Sequence, residues 1–289
     1  VRLKVSNAYG SDTEVKEMYI LVANNVWYVD ASVSSSGNGK SWGEAFRTIG
    51  EGIAAAGDYD VVVVADGTYY ETALCFMGKT VYLKGVDRYP GTPSRPVIDC
   101  QNNGRAFLFN SGETKDCVIE GFKVKRGKVT EAYGGAVYIC GSSSPTIKDC
   151  VFAYNKAVDS DGTYSNENGG AICCKNSSSP TITGCSFDNN SADNNGGAIY
   201  LDDDSCAVIT NCSFTSNNCG TGAGGAICCR TSGSVTIADC IFSGNDGRWG
   251  AAFATYYGTH QIVRCMFLGN SADAGGCLLY TSPSPRDRG

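Results

Sequence analysis

The sequence predicts an all-β solenoid, in which the chain winds into stacked coils of short β-strands. Pairs of glycine, or of glycine and alanine, recur at intervals of roughly 25 to 35 residues from Gly134 onward. Within each interval the pattern Ile-x-x-Cys-x-Phe-x-x-Asn recurs, beginning at Ile147, Ile182, Ile209, Ile237 and Ile262. The segments between these markers are short, β-rich and interrupted by Gly, Asn, Asp and Ser, without helical periodicity.

Each repeat is long enough for one coil of a parallel β-helix, whose strands pair with those of the coils above and below. Neighbouring coils would lie about 4.8 Å apart, so equivalent side chains would stack in columns. We expect inward columns of cysteine and phenylalanine, and an asparagine ladder that joins the turns. The members are Cys150, Cys185, Cys212, Cys240 and Cys265; Phe152, Phe187, Phe214, Phe242 and Phe267; and Asn155, Asn190, Asn217, Asn245 and Asn270. In the strand after each glycine pair, the inward column would be Val137, Ile172, Ile199, Ile227 and Phe253.

The glycine-pair and Phe-x-x-Asn repeats of residues 134–276 resemble those of the polymorphic outer-membrane protein and autotransporter type of right-handed parallel β-helix. Upstream, the motifs Trp27-Tyr28-Val29-Asp30 and Asp66-Gly67-Thr68-Tyr69 resemble the opening of pectate-lyase-like β-helices. This resemblance implies one right-handed parallel β-helix solenoid over residues 25–276, with an N-terminal capping helix within residues 25–60.

The residues of the expected cap support a helix independently. Ser41 followed by Glu44 has the sequence pattern of a capping box. The residues that would form its apolar face at helical spacing are Ala45, Phe46, Ile49, Ile53 and Ala56. Such a helix would cover the core and the unpaired strand edge at the open end of the solenoid.

Both ends of the chain differ from the repeats. Residues 1–24 resemble the last two strands of a PKD-type, immunoglobulin-like module, and a plain β-hairpin linker is the alternative. Cys277 to Asp287 reads CLLYTSPSPRD, which resembles a translated sequencing adapter. We therefore expect residues 277–289 to be non-native, with a native Pro/Ser-rich tail as the alternative, and the chain to be a fragment of a longer protein.

The composition argues against several classes of function. The net charge of −6 and the charged content of 18% offer no basic face to nucleic acid. No apolar run approaches the roughly 20 residues that a membrane span requires, so we expect no membrane span in this fragment. The single histidine, His260, leaves little room for a histidine-based triad or a multi-histidine metal site.

Sixteen cysteines would suggest a disulfide framework in a secreted chain. Five of them share one inward column, however, and stacked parallel side chains approach each other poorly for a disulfide. We expect mostly buried free thiols. Cys173 and Cys228 are expected to point outward, two coils apart.

One outward column combines opposite charges on successive coils. Lys175, Asp202 and Arg230 each stand four residues after the alanine that follows a glycine pair. One hypothesis is a uronate lyase site, in which Asp202, Asp203 and Asp204 hold calcium and Lys175 or Arg230 takes a proton. The favoured alternative is an ion-pair ladder of about 0.5 kcal/mol per exposed pair.

Two further features suggest binding. Asp159, Asp161 and Glu167 lie in the long first repeat, where their oxygens could ligate calcium, although an ordinary polar turn is favoured. Tyr138 and Tyr200 occupy outward positions and could form a stacking platform for sugar rings. Ordinary surface tyrosines are the favoured alternative.

These observations predict part of a secreted or surface-anchored bacterial β-helix protein that is adhesive or carbohydrate-binding, without a convincing catalytic set. Its partner would be a polysaccharide or a glycan of the host or cell surface, and its location extracellular or at the bacterial cell surface. No cofactor is expected with certainty, and calcium is possible. The alternatives are a polysaccharide (uronate) lyase acting by calcium-assisted β-elimination, and a structural spacer.

Overall fold

The protein folds as a parallel β-helix in the computed structural model. The structure describes residues 2–7, 10–15, 23–89, 95–162, 166–274, 276 and 278–280, with the backbone alone described at 2–7, 10–15 and 278–280. Three long sheets run along the solenoid, and every strand pair within them is parallel and in register between neighbouring coils. This arrangement confirms the all-β solenoid that the repeats predict.

Each long sheet takes one strand from each coil. Sheet I contains Val26–Val29, Asp60–Ala65, Val81–Val86, Val118–Glu120, Thr146–Lys148, Thr181–Thr183, Ala207–Thr210, Val235–Ala238 and Gln261–Val263. Sheet II contains Thr68–Tyr69, Val97–Asp99, Lys123–Lys125, Val151–Ala153, Ser186–Asp188, Ser213–Thr215, Ile241–Ser243 and Met266–Leu268. Sheet III contains Leu74–Cys75, Phe107–Phe109, Val137–Ile139, Ile172–Cys174, Ile199–Asp202, Ile227–Arg230, Phe253–Thr255 and Leu278–Tyr280.

Shorter strands lie between sheets II and III. Lys128–Thr130, Lys156–Val158 and Ser191–Ala192 form a parallel three-stranded sheet, and Asp246–Trp249 pairs with Ser271–Ala274. At the N-terminus Arg2–Asn7 and Gly10–Val15 form an antiparallel hairpin. The expected PKD-type module extends over residues that lie outside the described ones, and its identity stays a prediction. Of the segment expected to be adapter-derived, Leu278–Tyr280 pairs with Phe253–Thr255, and residues 281–289 lie outside the described residues.

The N-terminal cap is shorter than the sequence predicts. The α-helix spans Ile49–Ala55, and its capping box is formed by Thr48 and Glu51. Ser41 precedes a separate 3-10 turn, Trp42–Glu44, and its side chain makes no capping hydrogen bond. The expectation at Ser41 and Glu44 is therefore wrong, because the backbone is extended at Ala45 and at Thr48, and Phe46 pairs with Val29 between the 3-10 turn and the helix.

The interior is built from stacked columns. Phe152, Phe187, Phe214, Phe242 and Phe267 stack with ring centroids 4.8–5.1 Å apart. Each cysteine of the column donates its thiol to the carbonyl oxygen two residues earlier, as Cys212 does to Thr210 at 3.2 Å. All cysteines among the described residues are free. The parallel register fixes the spacing of these columns at the distance between coils.

The buried asparagines connect successive coils. Asn217 donates from Nδ2 to Oδ1 of Asn245 at 2.9 Å and to the carbonyl oxygen of Phe187 at 3.1 Å. Its own Oδ1 accepts from the backbone N–H and from Nδ2 of Asn190, both at 3.0 Å. The amide thus satisfies buried polar groups that a hydrophobic side chain would leave unpaired.

The glycine pairs allow the closest approach between coils. Gly196 adopts a φ of 66°, in the left-handed region that favours glycine. At Gly197 an added Cβ would lie 2.1 Å from the carbonyl oxygen of Gly225 in the next coil. The first glycine therefore makes the turn into sheet III, and the second leaves room for the neighbouring backbone.

Candidate functional site

The outer side of sheet III is covered by the chain itself. We call the buried residues there the outer cluster, and its members are Cys173, Tyr200, Ala223, Cys228 and Ala254. Tyr133, Tyr138 and Tyr256 pack against it and are partly buried. Tyr133 and Ala223 come from the segments just before the glycine pairs, which fold back over the strands that follow them.

This cover corrects the expectation of an exposed tyrosine platform. Tyr200 does point away from the interior, but it is only 2% exposed. Tyr138 is half-buried, with its ring centroid 5.8 Å from that of Tyr133 and the Arg105 guanidinium 5.2 Å over its ring. Cys173 likewise points outward and is fully buried. Tyr200 is therefore covered, whereas the ring of Tyr138 is partly covered by Tyr133 and Arg105.

The charged column is brought together as the sequence pattern predicts. Asp202 and Arg230 are register partners in sheet III. Lys175 Nζ lies 3.6 Å from Oδ2 of Asp202 and 3.3 Å from Oδ2 of Asp203. The same ammonium group donates to the Tyr133 hydroxyl at 3.2 Å. The arrangement is an ion-pair ladder at the edge of the outer cluster.

The electrostatics of Lys175 do not suit a general base. Burial alone would lower the pKa of Lys175, but the Tyr133 hydroxyl and the carboxylates of Asp202 and Asp203 outweigh it and raise this pKa. The amine is therefore protonated near neutral pH and holds no lone pair for proton abstraction. Arg230 is exposed, and the neighbouring Tyr200 and Asp202 raise its pKa as well.

The three consecutive aspartates do not form the predicted calcium site. Asp202 and Asp203 both face Lys175, whereas Asp204 accepts a hydrogen bond from the Ser232 hydroxyl. Asp203 and Asp204 adopt φ values of 48° and 57° in the turn that follows the strand. Within the described part of the chain, the group of three acidic ligands that could hold a metal is instead Glu131, Asp159 and Asp161.

A basic groove, which the sequence analysis missed, opens beside the outer cluster. It has a volume of about 440 Å³, and its lining includes Thr72, Asn103, Arg105, Lys128 and Thr130. Lys156 of the next coil is the register partner of Lys128, and it is exposed. The alternating lysines in Lys123-Val124-Lys125-Arg126-Gly127-Lys128 were the signal that could have identified it.

The cations of the groove lack the salt bridges that the neighbouring cations form among the described residues. Lys125 and Arg126 both bind Asp99, with Nζ of Lys125 at 3.1 Å and Nη2 of Arg126 at 2.5 Å from its Oδ2. Within the described ranges, neither Arg105 nor Lys128 forms a salt bridge with a carboxylate. Arg105 donates instead to the carbonyl oxygens of Tyr133, at 2.7 Å, and Gly134. The groove therefore presents positive charge that no carboxylate among the described residues neutralises.

Three long parallel sheets wound into one solenoid define a β-helix protein, and a basic groove opens on its outside. The chain belongs to the family described as right handed beta helix region, whose model matches residues 97–284. No curated protein matches the chain.

Two solved structures resemble the chain. A crystal structure of pectate lyase Pel9A is 14% identical, with a TM-score of 0.43, and the similarity covers 85% of this chain and 79% of that one. A rhamnogalacturonan lyase is 12% identical, with a TM-score of 0.34, and the similarity covers 82% of this chain and 86% of that one. Separately, the described residues include no helix of the length and apolarity needed to cross a membrane.

Proposed function

We propose that this chain is a glycan-binding part of a secreted or cell-surface β-helix protein, and that its basic groove binds an acidic polysaccharide. The observation that supports this proposal is the positive charge of Arg105 and Lys128, which form no salt bridge among the described residues, in a groove of about 440 Å³. The chain as a whole carries a net charge of −6, so its average charge does not account for this local excess.

The groove combines groups that suit a repeating sugar acid. The Lys128 ammonium attracts a carboxylate as a point charge, and Arg105 contributes positive charge from the groove wall. Asn103, Thr72 and Thr130 supply polar side chains of the kind that hydrogen-bond to sugar hydroxyls. Because Lys156 lies one coil further on, about 4.8 Å away, an extended ligand lying along the solenoid axis would meet successive cations.

Binding without turnover fits the charged column better than β-elimination does. A lyase needs an unprotonated base beside the carbon that loses its proton, whereas Tyr133 and two aspartates hold Lys175 in its protonated form. Lyase activity is therefore one of the results that the binding experiment can distinguish.

The proposal is tested by retention of the protein on immobilised polygalacturonate, with neutral dextran as the reference matrix. We expect retention of the wild-type protein on polygalacturonate alone, and weaker retention as salt screens the charges. The Lys128→Glu/Lys156→Glu double variant should bind about tenfold more weakly, since it reverses the charge of the groove lysine and of its exposed register partner in the next coil. The matched control is Lys115→Glu, an exposed lysine that is not among the groove residues.

Equal retention of the double variant and the control would show that the groove is not the site. Failure of the wild-type protein to bind any of several acidic polymers would favour a structural spacer. Release of unsaturated uronates, followed by ultraviolet absorbance, would favour a lyase instead.

A further inference from the structure

Four carboxylates converge where the long first repeat folds onto the preceding coil. Ligand oxygens of Glu131, Asp159 and Asp161 all lie within 4.8 Å of one another. The fourth carboxylate, Glu167, lies within hydrogen-bonding reach of Glu131. We call these four residues the acidic site. Nearby, Asp193 of the next coil accepts a hydrogen bond from the backbone N–H of Asp159 at 2.8 Å and adds further negative charge.

Glu167 is the observation that separates the acidic site from an ordinary acidic surface. Its side chain is fully buried, and among the described residues its Oε2 has no hydrogen-bond partner. A buried oxygen that lacks a partner costs free energy, and the cost is larger for a charged group. The adjacent Glu131 cannot satisfy it, because two ionised carboxylates have no proton to share.

Side-chain cations are missing beside three of these carboxylates in the described part of the chain. Among the described residues, no lysine or arginine forms a salt bridge with Glu131, Asp159 or Glu167. The backbone satisfies only part of the site, since Asp159 Oδ1 accepts from the N–H groups of Asp161 and Gly162 at 2.8 and 2.7 Å. The contact between Glu131 and Glu167 therefore requires either a proton or an external cation.

We propose that the acidic site binds a calcium ion through Glu131, Asp159, Asp161 and Glu167. The donors are all carboxylate oxygens, which hard cations prefer, and no histidine or cysteine belongs to the group. Calcium accepts a flexible set of six to eight oxygens, whereas magnesium demands near-ideal octahedral geometry. An open groove of about 390 Å³, lined by Asp159, Ser160 and Asp193, provides a path for the ion from solvent.

The ion would fasten the first long insertion to the coil beneath it. Glu131 lies in the segment before the glycine pair at Gly134. The other three ligands lie in the corresponding segment of the next coil, before the glycine pair at Gly169. The insertion also places Asn166, whose Oδ1 accepts from the Tyr133 hydroxyl at 2.6 Å. Tyr133 in turn contacts Lys175, so calcium would stabilise the cover of the outer cluster. This proposal does not rest on glycan binding, because no residue of the acidic site is among those that line the basic groove.

The test is isothermal titration of calcium chloride into the EDTA-treated, dialysed full chain, together with thermal unfolding at each calcium concentration. We expect one site with a dissociation constant on the order of 10⁻⁴ to 10⁻³ M, typical of extracellular calcium modules, and weaker binding of magnesium. Glu167→Gln and Asp159→Asn should each weaken calcium binding by at least about tenfold. Asp116→Asn, which alters an exposed aspartate on another turn, should bind calcium as the wild type does.

Glu167→Gln provides a second readout that a purely structural role would not produce. Without calcium this variant should melt at or above the wild-type temperature, because the amide removes the repulsion from Glu131 and can donate a hydrogen bond. With calcium only the wild-type protein and Asp116→Asn should gain stability. Absence of binding to the wild-type protein at 10-fold above the expected dissociation constant, about 10⁻² M, would overturn the proposal and leave a shared proton as the explanation. Equal binding by Glu167→Gln and the wild type would overturn it as well.

Discussion

The two sides of sheet III differ in what buries them. Ile199 points inward and is fully buried among the stacked columns, whereas its neighbour Tyr200 points outward and is 2% exposed. The same contrast occurs between Ile227 and Cys228 one coil further on. The alternation of side chains along each strand separates these residues into an inner and an outer cluster, and both clusters are buried.

The difference shows that position in a repeat and exposure to solvent are separate properties. The inner residues are buried by their own equivalents in neighbouring coils, so the repeat alone is sufficient. The outer residues are buried by segments such as those that contain Tyr133 and Ala223, which differ in length and sequence from coil to coil. Their burial therefore depends on how each segment folds over the sheet.

The largest expected effect tests whether the outer cluster is a second core. Tyr200→Ala should lower the free energy of unfolding by about 3–4 kcal/mol, because it removes a buried aromatic ring. Ile199→Ala should cost a similar amount. Tyr257→Ala, at a side chain that is 56% exposed, should change it by no more than about 0.5 kcal/mol. Urea unfolding followed by circular dichroism measures all three, and a small effect at Tyr200 would contradict the second core.

A smaller effect is expected for thiol accessibility in the native protein. Cys173 and Cys228 should react with a maleimide at least about a hundredfold more slowly than Cys75 and Cys206, because labelling requires local opening. Burial also raises the pKa of both outward thiols and keeps them protonated. Mass spectrometry of timed samples identifies the labelled residues. Equal rates at Cys173 and Cys206 would mean that the covering segments open freely.

The smallest expected effect concerns the far end of sheet III, where His260 packs edge-on against Phe253. Burial lowers the pKa of His260, and the contact with the Tyr257 carbonyl only partly offsets it. Below about pH 6.5 the unfolded chain therefore binds more protons than the folded one, so stability falls by about 1 kcal/mol or less as the pH is lowered.

Because His260 is the single histidine, its NMR titration can be followed without assignment. A midpoint below about 6.5 is expected, and a midpoint above that value would contradict the prediction. The His260→Asn variant should lack this part of the pH dependence of stability.

The interior could be predicted because the sequence repeats it. Phe187, Phe214 and Phe242 occur at the same place in successive copies of one pattern, and parallel pairing of equivalent strands requires them to stack. The buried amide ladder follows from the same register, as the contact between Asn217 and Asn245 shows. The PKD-type module and the adapter-derived tail have no such repetition to support them, and they stay predictions.

The candidate sites could be predicted only in part: the repeat pairs the charged column, and the polar insertion indicates three ligands of the acidic site, Asp159, Asp161 and Glu167, without their partner Glu131. Lys175 and Asp202 occupy equivalent positions, and the structure pairs them. The basic groove and the acidic site combine residues from non-equivalent segments, such as Arg105 with Lys128 and Glu131 with Glu167. The cap was misplaced for a related reason, since the pattern of Ser41 and Glu44 is also compatible with the short 3-10 turn that forms there.

The sequence by itself determined the coil, its register and the inner columns. Each coil packs against equivalent coils, so every copy of the pattern forms the same contacts. Only the tertiary structure decided what lies on the outside: that Tyr200 is covered, that Lys175 is neutralised, and which carboxylates meet. The physical reason is that these contacts join segments that are unlike each other, and their packing depends on loop paths that no local period specifies.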